Sequence, residues 1–202
     1  MTIPRTHLFA ALLALALIGA ACGLVGDQET LAEMTVTRIS GTVTLVRDGT
    51  SRNVAGETDI EPGDQITTAA EGGRAELRLE GERRAELAPG SRIEVSSERG
   101  VTGLEGSVLA QPRSGDRLSV DFGEARALAG NGVFRVDLGL GTSRVGVYEG
   151  AASVSVPEQE PVTVNALWQA DAAANARILS PSPLRISDQD PWDRIELGDV
   201  LD

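Results

Sequence analysis

Asp188, Asp190 and Asp193 crowd three carboxylates into the stretch Asp188-Gln189-Asp190-Pro191-Trp192-Asp193. A hard cation such as Ca²⁺ takes oxygen ligands of this kind. Pro191, and the lack of a glycine where the loop must turn, break the pattern that wraps such an ion. Helix capping explains the same residues without metal: Asp190 caps, Pro191 takes the first helical position, and acids favour a helix N-terminus. A second candidate is Gly139-Leu140-Gly141-Thr142-Ser143-Arg144-Val145-Gly146, which has the glycines of a phosphate loop. Strands flank it and no helix follows, so the dipole that would hold phosphate is missing and a hairpin is expected. A third is Gly63-Asp64 with Thr68, which reads as a turn whose Asp bonds neighbouring amides.

The residues that are missing narrow the chemistry further. All 18 basic residues are arginines, and the single histidine is His7. Residues 8–21, LFAALLALALIGAA, are apolar and follow Arg5. Fourteen residues fall short of the roughly twenty that cross a bilayer. A basic start, a short apolar region and small residues before a break predict a signal peptide over residues 1–21. Its removal leaves neither histidine nor lysine to act as base for a serine or threonine nucleophile. No carboxylate pair sits in an apolar surround that would raise a pKa for acid–base work. The expectation is therefore no enzyme, no catalytic residue, no cofactor and no metal.

Cys22, the only cysteine, follows the apolar run in Ile18-Gly19-Ala20-Ala21-Cys22-Gly23. This resembles the lipobox of bacterial lipoproteins, with Gly19 where leucine is usual. The resemblance implies lipidation of Cys22 and cleavage just before it. One acyl chain anchors only marginally, so stable attachment requires more than one. Residues 22–34, with Asp27, Glu29 and Glu33, then form a short acidic tether. Cleavage leaves 17 arginines against 30 acids, a balance of −13. That charge disfavours nucleic acid and anionic headgroups, for which cationic side chains supply the affinity.

The elements that must carry any site are strands. Residues 37–46, TRISGTVTLV, are rich in β-branched side chains, and Asp48-Gly49 supplies the positive φ of a tight hairpin. Glu61-Pro62-Gly63-Asp64 is another turn. In RAELRLEGERRAELAPGSRIEV (74–95), Ala75, Leu77 and Leu79 face one way and Arg74, Glu76, Arg78 and Glu80 the other. Ala85 with Leu87, and Ile93 with Val95, repeat the pattern after turns at Gly81 and Pro89-Gly90-Ser91. Cross-strand charge pairs add about 0.2–1 kcal/mol each and fix register. Further strands are expected over 106–110, 117–122, 124–128, 133–138, 143–148 and 151–156, with a hairpin turn at Asn131-Gly132. Val162–Trp168 reads as one more strand, 170–176 as a loop or single turn, 180–183 as extended linker, and Asp190-Pro191-Trp192 as the start of a short helix. The fold class is all-β: a twisted antiparallel sandwich or roll, or a solenoid-like stack, with a short C-terminal helix. The core spans 35–168, followed by a loop and helix tail over 169–202.

Taken in order, Gly41-Thr42-Val43, Gly56, Gly63-Asp64-Gln65-Ile66-Thr67-Thr68, the alternating 74–79 and Leu87-Ala88-Pro89-Gly90-Ser91-Arg92-Ile93 resemble the FecR domain of bacterial envelope proteins. Gly132–Val136 and Val145-Gly146-Val147-Tyr148-Glu149-Gly150 resemble its closing strands. The resemblance covers about residues 36–156. It implies a non-enzymatic, extracytoplasmic signalling module. No cytoplasmic anti-σ segment precedes the apolar run, so the expectation extends to fold and compartment and not to the σ-factor role. The function expected is a lipid-anchored envelope protein whose β-domain binds another envelope protein, with strand addition at a sheet edge as one mode. The alternative is a glycan- or wall-binding module using Tyr148, Trp168 or Trp192 as sugar platforms.

Overall fold

The computed structural model describes residues 34–113, 115–173 and 177–198; the predicted signal peptide, Cys22 and the tether as far as residue 33 lie outside the described residues. The first strands are β1 (Thr35–Ser40), β2 (Val43–Arg47), β3 (Thr50–Asn53), β4 (Thr58–Asp59), β5 (Gln65–Thr68), β6 (Arg74–Leu79), β7 (Arg83–Leu87) and β8 (Arg92–Ser97). Then come β9 (Gly100–Gln111), β10 (Leu118–Phe122), β11 (Ala125–Ala129), β12 (Gly132–Leu138) and β13 (Thr142–Ser155). The last are β14 (Val162–Asn165), β15 (Trp168–Ala173), β16 (Arg177–Ile178), β17 (Ser182–Pro183) and, among the described residues, one α-helix, α1 (Pro191–Glu196), besides a 3-10 turn at Glu80–Glu82. The chain is all-β, as its alternation predicts.

Two sheets form. Sheet A runs β4-β1-β6-β7-β9-β12-β13-β15, with β16 and β17 both on β15. Sheet B runs β3-β2-β5-β8-β9-β10-β11-β13-β14. The two long strands, β9 and β13, belong to both sheets. Each bends at a glycine with positive φ: Gly106 at 82° and Gly150 at 74°. A Cβ on Gly106 would lie 2.5 Å from the Cα of Ser91, so only glycine lets β9 cross there. The inward residues of both sheets, among them Leu45, Ile66, Leu77, Val120, Phe134 and Val147, are fully buried in one core.

Most expected turns are where the sequence puts them. Asp48 and Gly49 take φ of 49° and 74° and close the β2–β3 hairpin in two residues. Others differ. Asn131-Gly132 is not a hairpin turn: β11 lies in sheet B and β12 in sheet A, so the dipeptide carries the chain between sheets. Gly132 passes the β13 bend so closely that a Cβ would meet the Glu149 carbonyl at 2.0 Å. Pro89-Gly90-Ser91 likewise moves the third pass of the alternating stretch into the other sheet. The expected antiparallel order has one exception: β10 runs parallel to the first half of β9. Once β9 has crossed into sheet A, the returning strand re-enters sheet B alongside its start.

The expected strands at 143–148 and 151–156 are one continuous strand, β13, and the single strand expected over 162–168 is two, β14 and β15. The segment expected as a loop from residue 170 continues as strand β15 to Ala173, where Ala170 and Ala172 bury against the core. Alanines read as helix-prone or neutral in isolation; here the exposed edge of β13 recruits them into the sheet.

Candidate functional site

The Gly63-Asp64 turn is a fixed structural joint. Asp64 is 2% exposed. Arg47 forks onto it, Nε to Oδ1 at 2.8 Å and Nη2 to Oδ2 at 2.6 Å. The Glu61 N–H donates to Oδ2 at 2.8 Å. Burial works against the carboxylate charge, but the Arg47 fork and the Glu61 amide outweigh it and hold Asp64 below its ordinary pKa. Thr68 does a similar task at the other end of β5: its hydroxyl donates to the Ala88 carbonyl at 2.6 Å and accepts the Ser91 N–H at 2.9 Å. The motif thus ties two turns to one strand. The Gly139–Gly146 stretch is the β12–β13 hairpin that the flanking strands predict.

The aspartate-rich tail builds something larger. Residues 184–198 form a strap across the outer face of sheet A. The Asp190 Oδ1 accepts from the backbone N–H groups of Trp192 and Asp193 at 2.9 and 3.3 Å, which is the N-cap expected of it. Its Oδ2 accepts from Arg135 Nη1 at 2.7 Å. Arg135 also donates through Nε to Asp137 at 2.6 Å and lies 5.5 Å from the centre of the Trp192 ring, within cation–π range. Tyr148 donates its hydroxyl to Asp193 Oδ1 at 2.6 Å, and Asp193 Oδ2 accepts the Ser187 N–H at 2.8 Å. The Trp192 indole N–H reaches Glu86 at 3.1 Å, and Glu86 also pairs with Arg74.

Electrostatics follow from these contacts. Burial and the bond to Asp193 push the Tyr148 hydroxyl well above its usual pKa, so it stays a donor. Burial opposes the Arg135 charge, but Asp137 and the Tyr148 oxygen more than compensate and keep it protonated. The oxygens of Asp190 and Asp193 serve the helix cap, Arg135, Tyr148 and the chain entering the strap; Asp188 is not brought into this set. Between strap and sheet lies a cavity of about 230 Å³ lined by Arg135, Arg144, Tyr148, Leu184, Asp190 and Asp193 among others.

Under the strap the sheet is unusual for a solvent-side face. Leu109, Tyr148, Trp192 and Leu197 form a second buried apolar cluster, with Ala88, Val133 and Leu184 against it. Trp192 is 4% exposed, so its ring is covered by its own chain and is closed to a sugar; Trp168 is 44% exposed. Arg135, Leu109 and the burial of Tyr148 are not evident from charge or motif. The signal that could find Leu109 and Tyr148 is broken alternation: Val108-Leu109-Ala110 and Val145-Gly146-Val147-Tyr148 are runs buried on both faces, the pattern of strands covered on both sides. Arg135 lies on a normally alternating strand and carries no such signal. Cys22 lies outside the described residues. No helix among the described residues is long and apolar enough to cross a membrane.

Residues 64–153 match the family described as FecR protein. The match opens on Asp64 and closes inside β13, so the FecR resemblance read from the sequence is borne out over that stretch. It leaves β1 to β4, β14 to β17 and the strap outside. The fold is similar to that of a candidate anti-sigma factor from Parabacteroides distasonis, at 19% identity and a TM-score of 0.50 over 59% of each chain. A second crystal structure of the same description matches at 21% identity and a TM-score of 0.49, again over 59% of each. The similarity spans 59% of the length of those proteins. No curated protein matches the chain by sequence.

Proposed function

We propose that this chain is an extracytoplasmic, lipid-anchored signalling module that acts by binding another envelope protein and carries no catalytic step. One observation carries the reading. The outer face of sheet A carries Leu109, Tyr148 and Arg135, an apolar and cationic group that seats a protein segment, here the chain's own residues 184–198. The FecR match over 64–153 supports the signalling role, and the similarity to a candidate anti-sigma factor is in keeping with it. The side chains that could have marked a reaction centre, Asp64, Thr68, Asp190 and Asp193, are committed to turns and to the strap.

Photo-crosslinking in intact cells from positions around sheet A tests the reading. A stoichiometric adduct with one envelope protein is the expected result; recovery of the chain alone from every position overturns it. Lipidation is tested separately by intact mass. A lipid-modified mature N-terminus at Cys22 is expected, and an unmodified thiol on a freely released chain removes the anchor.

A further inference from the structure

The strap shows what the face beneath it accepts. Its grip has three parts: an indole lying by an arginine, two carboxylates three residues apart on the N-cap and first turn of a short helix, and an apolar residue, Leu197, one turn further on. The sheet offers the complement, with Arg135 for the carboxylates and Leu109, Val133 and Tyr148 for the apolar side chains. Yet the strap fits incompletely. Gln169, 1% exposed on β15, accepts the Arg185 N–H at 3.0 Å through Oε1, while its Nε2 is buried with no acceptor among the described residues. A buried donor without a partner weakens the arrangement that leaves it so. The cavity between strap and sheet is lined by Arg185 and Ser187 of the strap and by Arg135 and Arg144 of the sheet. The helix itself has six residues, too few to persist without its seat.

We propose that the face of sheet A under residues 184–198 is the docking surface for an acidic, tryptophan-bearing segment of the partner protein, and that the strap occupies this surface in cis until the partner displaces it. The inference rests on the protein-binding reading above and names its surface. A competing segment of the same chemistry that also places a carbonyl or carboxylate at Gln169 Nε2 gains a bond the strap does not make. The strap, being tethered, competes at high effective concentration, so it sets a threshold for binding without preventing it.

The test uses the full chain and a fluorescent peptide of residues 184–198. With Asp190→Ala and Trp192→Ala introduced together to loosen the strap, the peptide is expected to bind saturably, one per monomer by light scattering. Wild-type chain is expected to bind it about tenfold or more weakly, because its own strap competes. Equal binding to both proteins, no binding to a variant that keeps its β circular-dichroism spectrum, or a dimer formed by exchanged straps each overturns the proposal. If the variant loses its β spectrum, the strap is part of the fold and not a displaceable cover, which also overturns it. Hydrogen exchange on the wild-type chain reads the same point without mutation. The amides of Arg194 and Leu197 are expected to exchange at least about tenfold faster than those of the core strands; exchange only through global unfolding counts against a cis cover. A partner captured in cells but insensitive to the strap peptide leaves the protein-binding function intact and refutes this surface alone.

Discussion

Two arginine–aspartate locks hold different parts of this molecule, and they differ in reach. Arg47 grips Asp64 across 17 residues, inside one sheet, with the glutamate turn between them. Arg135 grips Asp190 across 55 residues, and the neighbouring Trp192–Glu86 bond spans 106. The first lock sits at the end of β2 and the turn before β5, with Asp64 buried and Arg47 partly exposed, and its opening disturbs both strands. The second joins a finished sheet to a terminal strap. The same ion-pair chemistry therefore fixes the fold in one place and fastens a cover in the other. The energetic consequence of breaking each depends on what opens, not on the pair itself.

The sharpest test of this contrast is Asp64→Ala. It removes the buried acceptor of the Glu61 N–H and of Arg47, which is itself partly exposed, and the expected loss is about 2 kcal/mol in global stability by urea unfolding. A loss below about 1 kcal/mol would show that the turn does not depend on the carboxylate. Trp192→Ala is the counterpart in the strap. A tryptophan removed from a core costs roughly 3–5 kcal/mol. For the displaceable cover proposed above, the expected global loss is about 1–2 kcal/mol, with exchange protection lost only over 184–198. A full core-sized loss would erase the distinction between the two locks.

Tyr148→Phe probes the strap more finely. It removes the donor to Asp193, which is 3% exposed, and is expected to cost about 1 kcal/mol, read as faster exchange at Ser187 and Leu197. The smallest effect is expected from Glu196→Gln, and its sign is reversed. Burial, then Glu149 and Glu86, raise the Glu196 pKa. Its contribution to stability is therefore present below its unfolded value and lost as pH rises through the folded one. Neutralising it should tighten the strap at neutral pH by about 0.5 kcal/mol after solvent screening. Asp64 behaves oppositely. Its pKa is lowered, so its stabilisation is complete above about pH 4 and fades as pH falls through the folded value. Acidification should thus weaken the Asp64 joint while easing the strap's far end, and exchange at the two sites measured against pH tests that divergence.

The turn half of the first lock was legible in the sequence, and its partner Arg47 was not. Gly63-Asp64 and Thr68 lie within six residues of one another, and turn chemistry acts over that range. The alternation of 74–79 gave the two faces of β6, and Asp190-Pro191 gave the helix cap. The like-charged register was not legible: Glu76 lies opposite Glu86, and the charge pairing of Arg74 with Glu86 runs diagonally. The strap was legible only as a short helix. Its seat depends on Leu109, Arg135 and Tyr148, which come from three strands. The one hint was a lapse in period that does not say which segment provides the cover.

The sequence by itself determined strand from turn, inside from outside, and the glycines where the backbone must bend, because those depend on interactions a few residues long. Tertiary structure decided which turns are hairpins and which carry the chain between sheets, that alanines at 170–173 become a strand, and where the tail comes to rest. Those outcomes depend on surfaces that exist only after distant strands have paired, and Arg135 meets Asp190 only once sheet A has formed between them.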